Sequence, residues 1–218
     1  SLADRKNTKF HGQLGLMRLA IESNDHKEAL SRARIASSIQ PRNPKLNSML
    51  VVMEAKQENY EKSIEALQKA RRIGSIDETR AQQLGASLHT KIGFVKLEEN
   101  QLNEAEKSFS LAIREKTDFI PAIIALSKIF ISKDNERKAL SLLSKTWKIQ
   151  PHPEISKTLK LIWKNERSSS NIANLIKLTD ENASAQARYI IADEAISAGL
   201  TGEAKDQLSK VLTKEYNT

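Results

Sequence analysis

Cysteine is absent from this 218-residue chain, which excludes disulfides, thiolate nucleophiles and cysteine-held metals and fits a reducing compartment. Glycine and proline are scarce, at 7 and 5 residues; an all-β protein needs many more turn residues, so the composition points to helices. Aromatics make up only 5% of the chain, and they are not interleaved with a dense basic run, which argues against the stacking platforms of a nucleic-acid binder. No stretch approaches the roughly 20 apolar residues of a membrane span; the longest candidate, 119–131, carries Pro121 and Lys128. Signal-peptide features are missing, and a start on Ser rather than Met reads as an excised piece. Histidines 11, 26, 89 and 152 are scattered without metal-ligand spacing, and no glycine-rich loop follows a strand. Carboxylates such as Glu98-Glu99 and Glu104-Glu106 read as solvation and capping. The chain is therefore expected to be non-enzymatic, with no catalytic, cofactor or metal residue to assign.

What the chain does have is small residues at a fixed step. Ala29, Ser63, Ala105, Ala139, Ala173 and Ala204 each stand early in a helix-like segment, and the steps 29–63, 105–139 and 139–173 are all 34 residues. Other residues travel with them. Ala33, Ala36 and Pro41 follow Ala29 at offsets of four, seven and twelve, and Leu143, Thr146 and Pro151 follow Ala139 at the same offsets. Offsets of four and seven share one helix face. A small residue lets a second helix approach a first closely, and proline ends the pair. Leu16, Leu50, Ile92, Leu126 and Ile191 lie thirteen residues before the small one, which places them on the first helix, facing the second. Between the helices fall Asn24-Asp25, Glu58-Asn59, Asn100-Gln101 and Asp134-Asn135, polar pairs suited to a turn and a cap. A 34-residue unit of two helices is the tetratricopeptide repeat.

The spacing thus predicts an all-α, right-handed α-solenoid of about five to six hairpins in a single array, approximately 8–40, 43–74, 77–116, 119–150, 153–181 and 183–215. From Ser63 to Ala105 the step is 42, so the segment 77–100 is expected to form one lengthened first helix. The fifth repeat is degenerate. Lys177 and Asp180 stand where a large apolar and a small residue are expected, and the run Ser168–Ser170 is expected to break the turn. The last pair, 183–198 and 201–214, recovers the pattern with Thr201 as a cap.

With 39% hydrophobic and 28% charged residues and a net charge of +8, the expected mode of action is recognition by shape and charge. The densest basic cluster, Lys69, Arg71 and Arg72, lies at a helix end, where positive charge complements the helix dipole. Projecting the register onto the concave side of the first helices gives Arg18, Lys45, Lys56, Lys91, Phe94, Lys128 and Tyr189 as the expected lining. Such a groove is basic with two aromatic anchors, suited to an acidic or extended segment of another protein. Two other readings stay open: a haem or porphyrin carrier with His152 or His89 as axial ligand, and an RNA-binding array. His152, between Pro151 and Pro153, also reads as a rigid connector.

Leu14-Gly15-Leu16 leading into Ala20-Ile21-Glu22, Phe119-Ile120-Pro121-Ala122, Arg137-Lys138-Ala139, and above all the run from Trp147 through Pro151-His152-Pro153-Glu154 resemble the carboxy-terminal region of the HemY family. The resemblance implies the tetratricopeptide part of a bacterial inner-membrane protein associated with late haem or porphyrin metabolism. It further implies an amino-terminal anchor of two membrane helices absent from this chain, a domain facing the cytoplasm, and haem-pathway enzymes as partners. It transfers no catalytic residue.

Overall fold

The computed structural model describes residues 2–179 and 184–215, and every regular element among them is helical. The chain divides into two compact units, Ser1–Thr117 and Asp118–Thr218.

The first unit contains α1 (Leu2–Glu22), α2 (His26–Ile39), α3 (Pro44–Lys56), α4 (Tyr60–Arg72), α5 (Glu78–Glu98) and α6 (Leu102–Glu115). They pack as three antiparallel hairpins, with α2 also against α3 and α4 against α5. Local chemistry sets the helix starts: Asp25, Asn43 and Asp77 each accept a hydrogen bond from the backbone N–H three residues on, and Pro44 occupies the first turn of α3. Asn24, Glu58 and Asn100 adopt positive φ, so each polar pair seen in the sequence divides its work. The first member turns the chain, and the second stands at the N-cap of the next helix, where Asp25 makes a side-chain cap bond and Asn59 and Gln101 make none.

Small residues control the packing of this unit. Ala29, Ala33 and Ala36 are fully buried beneath Phe10, Met17, Leu30, Leu46 and Leu50. Ser63 takes the place of alanine in α4, and its hydroxyl donates to the Val51 carbonyl at 2.6 Å, so the burial of that oxygen is compensated. A second cluster joins Val51, Leu67, Ala70, Ala81 and Leu88. The eight additional residues before Ala105 lengthen α5 to 21 residues, and two glycines let α6 lie against it. A Cβ at Gly93 would stand 2.6 Å from the Phe109 ring, and one at Gly85 would stand 2.8 Å from the Glu115 side chain.

The second unit contains α7 (Ile120–Ser132), α8 (Glu136–Ile149), α9 (Pro153–Ile162), α10 (Ser168–Leu178), α11 (Ala185–Ser197) and α12 (Thr201–Glu215). Its first and last hairpins, α7–α8 and α11–α12, are regular, and α9 packs on both α7 and α8. Ile123, Leu143, Trp147, Ile155, Leu159, Leu175 and Ile191 are its largest fully buried apolar side chains.

Four expectations drawn from the sequence are corrected here. Leu16 is exposed although its repeat equivalent Leu50 is buried; Leu50 is covered by α2, and no described element covers the corresponding side of α1. Ala173 is exposed, while Ile172 and Leu175 face the core. The fourth residue of α10, the place of the small residue in the other second helices, is Asn171, so the 34-residue step to Ala173 is coincidental. Ser168–Ser170 form the first turn of α10, and the bend falls before them at 163–167. Thr201 is the first residue of α12 rather than the residue before it. Asp180 and Ala183 lie outside the described residues.

Candidate partner-binding surfaces

Each residue expected to line the groove is exposed, and each is described within its own unit. In the first unit, Lys45 and Lys56 stand eleven residues apart on one side of α3, and Lys91 and Phe94 lie one turn apart on α5. Lys45, Lys56 and Lys91 make no ion pair among the described residues, whereas Arg18 donates to Glu22 on its own helix at 2.9 Å. Phe94 is 43% exposed. One edge of its ring meets buried Phe109 at 5.2 Å between centroids and 73° between planes, so α6 holds the ring while much of it stays in solvent. Sequence reasoning did not single out Ile21 on α1 and Val52 on α3, which are also large exposed apolar residues. Val52 stands seven residues after Lys45, a signal legible once the register was set.

In the second unit, Lys128 lies on α7 and Tyr189 on α11, and no hydrogen bond or ring contact joins them. Lys128 acts on the start of α9. The Glu154 carboxylate there is held below the usual carboxylate range first by its hydrogen bond from Lys157, and Lys128 and His152 add to the effect.

Ion pairs with one or both partners partly buried tie neighbouring helices together. Arg34 grips Glu54 with two hydrogen bonds of 2.7 and 2.6 Å, and Asn59 donates to the same carboxylate at 3.0 Å. Arg71 grips Glu115 with bonds of 3.0 and 2.6 Å, so this member of the basic cluster at the end of α4 is neutralised in place. His89 stands beside that pair. Burial lowers its pKa, the charge of Arg71 adds to this, and Glu115 opposes it. In the second unit Glu194 of α11 accepts from Ser156 at 2.7 Å and from Lys160 at 2.5 Å, both on α9. Burial raises its pKa, but these two donors outweigh it and the pKa lies below the usual value.

The histidines are placed by local structure. His152 precedes α9, and its Nδ1 accepts from the Glu154 N–H at 3.1 Å, which makes it a helix cap. His11 packs edge-on to Phe10. Among the described residues no group of three His, Asp or Glu side chains converges to hold a metal, and no helix is long and apolar enough to cross a membrane. A surface groove of about 690 Å³ along α6 is lined by Asn103, Glu104, Glu106, Lys107, Ser110, Leu111 and Arg114, a charged wall unlike an apolar porphyrin slot.

No family model matches the chain, and no curated protein matches it. Solved structures do. One, described as the MamA protein, shares 17% identity over 96% of this chain and 93% of its own, with a TM-score of 0.41. A tetratricopeptide repeat protein from Parabacteroides merdae shares 15% over 94% and 80%, with a TM-score of 0.47. YrrB, described as a tetratricopeptide protein with an unusual peptide-binding site, shares 14% over 89% and 90%, with a TM-score of 0.45.

Proposed function

We propose that the protein is a non-enzymatic interaction scaffold that docks an acidic, extended segment of another protein on the first helices of its N-terminal unit. One observation carries this reading. Lys45, Lys56 and Lys91 are exposed without ion partners among the described residues, on helices that also leave Val52 and Phe94 open to solvent. Apolar anchors give such a site its affinity, and the surrounding cations select an acidic partner and speed its arrival. Lys128 and Tyr189 are assigned to the same role in the second unit. The resemblance to the HemY family supports a finer reading, in which this part belongs to an inner-membrane protein and gathers enzymes of haem or porphyrin synthesis on the cytoplasmic side.

The test uses extended acidic peptides selected by display against the intact chain. Lys56→Glu with Lys91→Glu is expected to weaken the selected peptides at least tenfold while the melting temperature stays within a degree or two. Undiminished binding by the double variant sinks the first-helix surface. Cross-linking in native membranes that never captures a haem-pathway enzyme removes the finer reading alone.

A further inference from the structure

Of the first helices in the N-terminal unit, α3 has a neighbour on each side. Its Met49 and Met53 join the cluster of Phe10 and Met17 from α1, and its Val51 and Ala55 join that of Ala81 and Leu88 from α5. Beyond Pro44, the exposed side chains of α3 are Lys45, Val52 and Lys56. They fall within a narrow arc of the helix, between the two clusters. Ser48 shares that side, but its hydroxyl is turned onto the Pro44 and Ser75 carbonyls. What stays open is a ridge that reads cation, apolar, cation. At about 1.5 Å of rise per residue, Val52 stands about 10 Å and Lys56 about 16 Å along the axis from Lys45. Val52 and Phe94 each stand eleven residues before the small residue of their hairpin, Ser63 and Ala105, so in repeat register Phe94 widens the apolar step.

The two ends of the ridge differ in charge. Glu54 is held by Arg34 and Asn59, Glu22 by Arg18, and Glu99 by Lys96, on which Glu61 also acts. Burial first, and then the charges of Glu58 and Glu98, raise the Tyr60 pKa, so both carboxylates stand near the end of α3 that carries Lys56. At the other end Arg42 precedes Lys45 in the turn, Asp77 caps α5 and Glu78 faces Arg71. A hydrogen bond from Gln40 to Asn7 brings the first turns of α1 to this end, with Arg5, Lys6 and Lys9 against Asp4. The Lys45 end is the more positive.

We infer that this ridge selects a polyproline II segment of the partner that carries two acidic side chains six residues apart, with an apolar side chain midway between them. The inference rests on the docking reading proposed above and adds the conformation and spacing of the ligand. The face of a helix offers no main-chain partners to a β-strand, because its own N–H and C=O groups are bonded along the axis. A polyproline II backbone is satisfied by water instead. With three residues per turn, every third side chain of such a segment points the same way, at steps of about 9 Å. Acid, apolar and acid in the first, fourth and seventh places then lie about 9 and 19 Å along the segment. Those steps match the ridge to within a few ångströms, a difference that the flexible lysine stems absorb. A helical ligand fits less well, since it needs a broad apolar stripe opposite its own and α3 offers one valine. The acid opposite Lys45 contributes more than the acid opposite Lys56, because the field there is more positive.

The test titrates labelled proline-rich peptides, each with leucine midway between two aspartates, with the intact chain at low salt and follows fluorescence anisotropy. Aspartate spacings of four, six and eight residues are compared. Binding is expected to be tightest at six and about fivefold weaker at four and at eight. In double-mutant cycles Lys45→Gln is expected to couple to one aspartate and Lys56→Gln to the other, with the larger coupling at Lys45. Val52→Ser should weaken the leucine peptide more than its alanine counterpart, with helicity unchanged by circular dichroism. A flat spacing profile overturns the inference, and if Lys56→Glu with Lys91→Glu still weakens display-selected peptides, the docking surface survives it. Tighter binding by a helical peptide with its acids eleven residues apart also overturns the inference, as does a six-residue spacing that fails to bind at millimolar concentration. Binding indifferent to Lys45, Lys56 and Lys91 alike overturns this inference and the docking reading together.

Discussion

Gly93 and Phe109 show how single residues set this fold. The ring of Phe109 is fully buried and occupies the space where a Cβ on α5 would be. Replacing Gly93 with alanine forces backbone against aromatic ring, neither of which is a flexible chain end, and is expected to destabilise the first unit by about 1–3 kcal/mol. Urea unfolding followed by circular dichroism measures it. Unchanged stability would mean that α5 and α6 are not in this register. The pairing of Gly93 with Phe109 was invisible in the sequence, although both residues sat in repeat register, because a glycine inside a helix reads as a defect until its neighbour is seen. The exposed cations behaved differently. Lys45, Lys56 and Lys91 were legible as solvent-facing from helical periodicity alone, since a lysine on the side away from the apolar stripe has only water to meet.

Among elements, α10 departs furthest from the repeat. Asn171 stands where the other second helices carry Ala or Ser, and its side-chain oxygen is buried without a hydrogen-bond partner among the described residues. Asn171→Ala is expected to restore the small residue, remove an unsatisfied acceptor and stabilise the protein by about 1 kcal/mol; a lower melting temperature in differential scanning calorimetry would contradict this. The helix is anchored from elsewhere: the indole N–H of Trp147 on α8 donates to the Thr179 hydroxyl just past the end of α10 at 2.9 Å. Spacing placed the small residue at Ala173, two positions late. A period finds a residue of the right type and cannot register that α9, at 10 residues against 13 in α7, has been shortened before a longer bend, so the error was confined to the one repeat whose first helix and bend had changed.

At the scale of the whole molecule, acid should loosen both units. His89 in the first unit has a lowered folded pKa because of burial, so its contribution to stability is complete above the ordinary imidazole value of about 6.5 and is lost as pH falls through the lower folded value. Glu194 in the second unit has a lowered folded pKa because the Lys160 and Ser156 hydrogen bonds outweigh its burial. Its contribution is complete above the ordinary carboxylate value and is lost as pH falls through the folded one. Melting temperatures are expected to fall in two stages between pH 8 and pH 3, the first flattened by His89→Gln and the second by Glu194→Gln. An identical profile in either variant would show that its group does not differ between folded and unfolded states.

Periodicity by itself determined the helices, their hairpin pairing and the lengthened α5, because a helix buries one stripe and a repeating stripe has few ways to be satisfied. Tertiary structure decided the rest. It covered Leu50 and left its equivalent Leu16 open, gave Asn171 the place expected for Ala173, made His152 a cap, and neutralised Arg71 against Glu115. Each of those outcomes depends on which neighbour reaches a side chain across space, and spacing along one chain carries no record of what stands opposite.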